Sequence, residues 1–319
     1  MIDVRRLRLL RELSVQGTVT AAAEALHLTG PAVSQQLAAL EKEAGVPLLE
    51  KHGRTLRLTY AGQRLVEHAD VILGNLAAAD AELQALRAGQ RGTVLITAFP
   101  SAARVLLPPL WQLLAQDSEA EVGDVGAMRP ELRITEAEPD VSVEMLRRRE
   151  TDIAVAHAYS LLPRPLPPGC EQHRLMEEPV YLALHPDTAA AHDLTPHQPA
   201  ELADFRDEGW LLPDPRTYCH ELTRRACGAA GFVPSPIAAA TDFSVLTALV
   251  AARAGVALVP RMALPADTRG VSLHPLTAPV TRSVYALARS GEAGQPRLSR
   301  VLEGLQTVAL NQYSVTAFV

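Results

Sequence analysis

Residues 18–62, TVTAAAEALHLTGPAVSQQLAALEKEAGVPLLEKHGRTLRLTYAG, set out a short Ala-rich helix, a tight break, a second helix and a two-strand ribbon in fixed order. Few folds need that order of parts. Thr18 or Thr20 is placed to cap the first helix, which runs to about Leu26. Ala21, Ala22, Ala23 and Ala25 keep it thin, so a second helix can cross it closely. His27-Leu28-Thr29-Gly30 is the break. Pro31 suits the first turn of the next helix, where its missing N–H costs nothing. Val33, Leu37 and Leu40 fall at i, i+4 and i+7 and form a buried stripe.

Ser34, Gln35 and Ala38 point the other way. Small and amide side chains on the exposed start of a helix suit insertion into the major groove of double-stranded DNA. Candidate DNA contacts are Thr29, Pro31, Ser34, Gln35 and Gln36. Gln35 has the geometry to pair bidentately with adenine, and Ser34 suits a phosphate or a base edge. Gln36 flanks the buried stripe and is the weaker candidate. After Gly45, the run Pro47–Leu58 reads as a hairpin turning at His52-Gly53. Arg54 stands beside that turn, in place for a minor groove or a phosphate. The first 60 residues carry eight Lys/Arg against six Asp/Glu, whereas the whole chain carries 30 against 36. A mildly basic head on an acidic body fits a DNA reader joined to a different module.

The spaced residues Gly17-Thr18, Ala22-Ala23, Leu26, Pro31-Ala32-Val33-Ser34, Leu40-Glu41, Gly45, Leu48, Arg54, Leu58-Thr59 and Ala61-Gly62 resemble the N-terminal domain of the LysR-type transcriptional regulators. The resemblance implies that the helix from Pro31 to Glu43 lies in the major groove and that the wing touches the minor groove. Gly30 stands where the family often has Gln, Gln35 where Arg is common, and Leu49-Glu50-Lys51 where Phe-x-Arg is usual. These departures bear on base preference and not on the fold.

From Tyr60 the chain has no proline until Pro100. Leu65, Ala69, Ile72, Leu76, Ala79, Leu83 and Leu86 recur in alternating steps of four and three, the pattern of a coiled-coil seam. A helix from Tyr60 to Ala88 would be about 44 Å long. Its stripe reads as a dimerisation surface, and the family resemblance implies the same, with a dimer of dimers above it. Gly89-Gln90-Arg91-Gly92 ends the helix and marks a boundary.

Beyond Gly92, short apolar strands alternate with helices, as in a parallel-type α/β sheet covered on both faces. Strands are expected near 94–99, 132–137, 152–156, 180–185, 237–240, 256–259 and 283–288. Helices are expected near 101–115, 142–149, 220–230, 244–254 and 297–310. The Pro-rich run Leu162–Gly169 and the segment Pro260–Arg269 are the candidate crossings between two lobes. The resemblance implies a two-lobed module like the periplasmic binding proteins.

The expected fold is therefore multidomain. An all-α winged helix-turn-helix (1–59) and a linker helix (60–90) precede an α/β effector-binding domain (91–319). Lobe one covers about 91–160 and 266–319, and lobe two about 161–265. Loops at strand ends would line the cleft between the lobes. Candidate effector contacts are Phe99, Ser101, Ala102, Glu138, His157, Tyr181, Thr241, Asp242 and Phe243. For Ser101 and Thr241, plain helix capping is an equal alternative.

No metal site or cofactor is expected. His185, His192 and His197 match no common zinc spacing. Some LysR-type regulators sense peroxide through a cysteine pair in the region of Cys219 and Cys227, but the flanking residues here differ. Cys227 reads as a small packing residue. No GxxxxGK[ST] loop, GxSxG elbow or HExxH pair supports an enzyme. The N-terminus lacks a long apolar run with a cleavage site, and no stretch reads as a membrane span, so a cytoplasmic protein is expected. The leading expectation is a homodimeric or homotetrameric DNA-binding regulator with a small-molecule effector. A solute-binding receptor with an N-terminal oligomerisation domain and an α/β enzyme stay open beside it.

Overall fold

The computed structural model describes residues 2–52, 55–88, 92–120 and 130–315. The chain divides into two compact units. One is built on Met1–Gln90 with the short segments Pro167–Glu171 and Arg289–Gln295, and the other on Arg91–Leu166, Gln172–Ala288 and Pro296–Val319.

The first unit opens with α1 (Val4–Gln16), α2 (Val19–Ala25) and α3 (Gly30–Ala44). Each helix starts on a side-chain cap. Asp3 accepts from Arg5 N at 2.8 Å, Thr18 from Ala21 N at 3.2 Å and Thr29 from Ala32 N at 3.4 Å. Each cap satisfies an N–H that has no partner within its helix. His27 takes a left-handed φ of 54° between α2 and α3, and this sharpens the break. The expected stripe Val33, Leu37 and Leu40 is buried against Leu7, Leu10 and Leu13 of α1 and Ala22 and Ala23 of α2. Each such valine or leucine contributes about 1.5–3 kcal/mol on burial.

The wing is the antiparallel pair β1 (Leu49–His52) and β2 (Thr55–Leu58), in register from Leu49–Leu58 to His52–Thr55. Its root is fixed by Glu41 of α3, whose Oε1 accepts from Leu48 N at 2.8 Å and Leu49 N at 2.9 Å. Thr59 donates to Pro47 O at 2.8 Å and accepts from Gly62 N at 3.1 Å. The turn residues Gly53 and Arg54, and the expected boundary at Gly89–Arg91, lie outside the described residues.

The long helix α4 runs from Tyr60 to Ala88. Its stripe was expected to form one seam, and the structure divides it. Ala69 is fully buried and Leu65 half-buried in the same core as α1 and α3, joined by Val66 and Leu73. Ile72, Leu76 and Ala79 are exposed. The cause is local: the first turns of α4 pack against α1, and Arg11 of α1 pairs with Asp70 at 2.7 Å beside that contact. Leu65 and Ala69 are thus core residues of their own chain and not part of an open seam. The side chains of Leu83 and Leu86 lie outside the described residues.

In the second unit the order is β3 (Thr93–Ala98), α5 (Pro100–Ala120), β4 (Glu131–Glu136), α6 (Pro139–Arg147), β5 (Ile153–Tyr159) and β6 (Cys170–Leu184). Then follow α7 (Pro186–Ala191), β7 (Gly209–Pro213), α8 (Tyr218–Ala229), β8 (Ser235–Ala240), α9 (Phe243–Ala251), β9 (Ala257–Pro260), β10 (Ser272–Pro275), β11 (Thr281–Arg289) and α10 (Pro296–Val315). Among the described residues, seven strands join one sheet in the order β10-β6-β11-β5-β3-β4, with β9 also on β6, while β7 and β8 pair separately.

The expected parallel sheet is mixed. β3 runs parallel to β4 and β5, but β11 is antiparallel to β5, and β9 and β10 are antiparallel to β6. The crossings also differ from expectation. Bonds of 2.9 Å from Ser290 N to Gly169 O and from Val180 N to Val280 O bracket β11 against the first part of β6. The last residues of β6 pair with β9 and β10 instead. The chain therefore passes from one half to the other inside β6, not in the Pro-rich run 162–169. It returns between β10 and β11, not at 260–269. Residues 170–179, CEQHRLMEEP, are mostly polar and show no regular apolar alternation, and this conceals a strand whose surroundings change along its length.

Candidate functional site

On the first unit, Pro31, Ser34, Gln35 and Ala38 of α3 are exposed, while Val33, Leu37 and Leu40 on the opposite face are buried. Thr29, also exposed, is engaged as the cap of α3. Gln36 is exposed too, but its Oε1 accepts from Arg6 Nε at 2.9 Å, and Arg6 in turn pairs with Glu43. Gln36 thus helps hold α1 against α3, a role the sequence reading missed. Arg54 lies outside the described residues.

On the second unit, the sheet order β5-β3-β4 sets three parallel strands side by side with their carboxyl ends on one edge. Ala137 N donates to Ala98 O at 3.0 Å, which continues the β3–β4 pairing past the strand ends. Phe99 and Ser101 follow β3, Glu138 follows β4, and His157 lies near the end of β5. Such an edge, with helices α5 and α6 starting from it, is where open α/β sheets hold ligands.

His157 is buried, and its Nδ1 has no hydrogen-bond partner among the described residues. Its ring meets Phe99 edge-on at 4.6 Å, Tyr159 at 5.2 Å and Tyr218 at 6.4 Å. Burial, reinforced by the positive charges of Arg282 and Arg164, pushes its pKa well below the usual imidazole value, so the ring is neutral. Glu138 precedes α6 at the capping position yet makes no cap hydrogen bond. Burial raises its carboxyl above the ordinary range, against the opposing pull of Arg282 and Arg164.

Two arginines frame this row. Arg282 of β11 is fully buried and donates to Glu178 of β6 at 2.6 Å and to Ser101 Oγ at 3.2 Å. Burial weighs most against its charge, but the Glu178 carboxylate, Tyr159 and Cys219 together more than offset burial, and the guanidinium stays protonated. Glu178 also accepts from Met262 N at 2.6 Å, so both of its oxygens are used. Arg164 pairs with Asp140, lies over the Tyr218 ring at 3.5 Å, and keeps a buried Nε without a partner. Sequence reasoning missed Arg282, Glu178 and Arg164, because a charged side chain reads as surface until its partner is known.

The other expected contacts sit elsewhere. Ala102 is fully buried in the first turn of α5. Tyr181 is half-buried on the last part of β6, opposite Val259 and Pro275. Thr241 and Asp242 are exposed at the start of α9, where Asp242 accepts from Ser244 N at 2.8 Å as a cap, and Phe243 packs against two core clusters. Cys219 is buried with its Sγ 2.8 Å from Tyr159 Oη, and burial pushes its thiol up to about 11. Cys227 is buried too, raised to about 12 by burial, and both stay protonated thiols at neutral pH. His185 caps α7 and His192 faces Glu208 at 3.4 Å.

No helix among the described residues is long and apolar enough to cross a membrane. Residues 4–63 match the bacterial regulatory helix-turn-helix protein family, lysR type, and residues 87–309 match the LysR substrate binding domain. The chain is 29% identical over 310 residues to the HTH-type transcriptional regulator IlvR of Caulobacter vibrioides, covering 94% of this chain and 96% of that one. It is 24% identical over 314 residues to the DNA-binding transcriptional dual regulator OxyR of Escherichia coli, covering 96% and 95%. Its fold is similar to that of full-length BenM, with a TM-score of 0.55 at 22% identity over 100% of this chain and 99% of that one. It is also similar to CbnR, a LysR family transcriptional regulator, with a TM-score of 0.52 at 23% identity over 97% and 99%. With a helix-turn-helix that turns Ser34 and Gln35 outward and a substrate-binding domain behind it, the chain belongs to the LysR family of DNA-binding transcriptional regulators.

Proposed function

We propose that this regulator acts in the cytoplasm as a homo-oligomer, reads a two-fold DNA site through Ser34 and Gln35 of α3, and responds to a small effector held at the strand ends of its substrate-binding domain. The exposure of Ser34 and Gln35 opposite a buried Val33-Leu37-Leu40 stripe carries the reading. Two copies present two such helices, and half-sites one helical turn apart suit that symmetry. The exposed members of the α4 stripe, Ile72, Leu76 and Ala79, are the proposed contact with a second copy. One solved relative, full-length CbnR, is described in complex with its target DNA.

The effector site runs through Phe99, Ser101, Glu138 and His157, between the Arg282–Glu178 pair and Arg164. The effector acts by binding one arrangement of the two lobes better than the other. Crossings inside β6 and between β10 and β11 support two lobes that meet at Glu178 and Arg282. Fluorescence anisotropy of the full-length protein on DNA from upstream of its own gene tests the reading. Tight binding that weakens steeply with salt is expected. Affinity no greater than for random DNA would overturn it.

A further inference from the structure

The charges around the strand-end row define what the effector must carry. Arg282 is matched by Glu178 and Arg164 by Asp140. Arg282 also donates to Ser101, and Arg164 keeps only its Nε without a partner among the described residues. Glu138 adds a carboxyl that caps no N–H of its own helix. An effector bearing only carboxylates would bring its charge against Glu138, whereas an ammonium would be drawn to it.

Donors are nevertheless present beside that carboxyl. Ala103 N closes on Phe99 O at 2.9 Å, so the N–H groups of Ser101 and Ala102 stand ahead of the helical ladder at the positive end of the 21-residue α5. Ser101 Oγ accepts from Arg282, which leaves its own O–H free to donate. Two buried polar atoms have no partner among the described residues and are open to a ligand: His157 Nδ1 and Arg164 Nε. Around His157 stand the rings of Phe99, Tyr159 and Tyr218.

We propose that the effector is a small zwitterion of the α-amino acid type. Its carboxylate lies on the first turn of α5 beside Ser101, its ammonium on Glu138, and its side chain toward the rings of Phe99, His157 and Tyr218. The inference rests on the effector site proposed above. It adds the requirement for both charges on adjacent atoms, since β3 and β4 are neighbouring strands in register up to Ala98–Glu136. The raised pKa of Glu138 agrees, because a bound ammonium would restore its charge.

Thermal unfolding of the full-length protein is to be followed with the twenty standard L-amino acids, their N-acetyl derivatives and their amides. At least one amino acid is expected to raise the unfolding midpoint. Its N-acetyl derivative and its amide are expected to fail. Titration calorimetry should show Glu138→Gln and Ser101→Ala each weakening that amino acid ten-fold or more. No response to any amino acid would overturn the proposal. A stronger response to N-acetyl derivatives, unchanged in Glu138→Gln but lost in Ser101→Ala, would overturn the zwitterion while leaving the site in place. Amino acid binding that neither substitution alters would overturn both.

Discussion

A Cβ on Gly62 would stand 2.1 Å from the carbonyl oxygen of Leu48, so the wing root and the long helix touch backbone to backbone. The nearest atoms are backbone and cannot swing aside, although Leu58 Cδ2 also lies 3.1 Å away. Gly62→Ala is expected to destabilise the first unit by roughly 1–3 kcal/mol and to displace the wing. Thermal denaturation and DNA binding should fall together. An alanine variant with unchanged stability would show that the approach is looser than described.

Glu41 offers a second handle on the same root. Glu41→Ala leaves the N–H groups of Leu48 and Leu49 without their acceptor, a cost of about 1–3 kcal/mol. Glu41→Gln keeps an oxygen in place and should lose much less. Urea denaturation of the two variants separates them, and equal losses would mean that acceptance by Glu41 is not what holds the wing.

For DNA, Gln35→Ala is expected to relax preference at one base position by about 1–3 kcal/mol. Arg54→Ala should weaken all sequences evenly and flatten the salt dependence. Binding to a set of singly substituted sites distinguishes the two. Identical losses on every sequence for both variants would contradict this division of labour.

The Arg282–Glu178 pair is buried at both ends, so removing one partner strands the other. Glu178→Gln should cost about 3–5 kcal/mol, and the double variant Glu178→Gln with Arg282→Met should recover part of that loss. Calorimetric unfolding of the three proteins checks the coupling. Strictly additive losses would show that the pair is not a unit.

Stability should fall at both pH extremes for identifiable reasons. His157 is neutral in the fold, its pKa lowered from an ordinary 6.5, while the unfolded chain takes up a proton as pH drops. Its contribution is present above about pH 6.5 and is lost as pH falls below it. The Cys219 thiol moves from 9.0 up to about 11, so its contribution is full below pH 9.0 and is lost as pH rises toward about 11. His157→Leu should flatten the acid limb and Cys219→Ala the alkaline limb of a stability–pH curve. Limbs of unchanged slope would refute the assignments.

Much of the first unit was legible because the cap of α2 and the i, i+4, i+7 stripe are local signals: Thr18, Val33, Leu37 and Leu40 announce themselves in short windows, whereas Thr29, read as part of the break, proved to be the cap of α3. The two roles of α4 were not, because a heptad count does not reveal that α1 claims Leu65 and Ala69. In the second unit the short apolar strands read well, whereas β7 is a five-residue run and β10 a four-residue one, too brief to show a period. Phe99, Ser101, Glu138 and His157 could be named as strand-end residues. Arg282 and Glu178 lie 104 positions apart, and only the sheet brings them together.

The anchoring of Leu65, Ala69 and Leu73 into the core of the first unit has a mechanical corollary. The reading head and its shaft form one stiff rod, not two parts on a swivel. With a shaft of about 44 Å, a tilt of about ten degrees at one end carries the other through about 8 Å. At the contact proposed between two copies, a slight turn of one shaft would thus be magnified into a visible change in the spacing of the heads along the double helix.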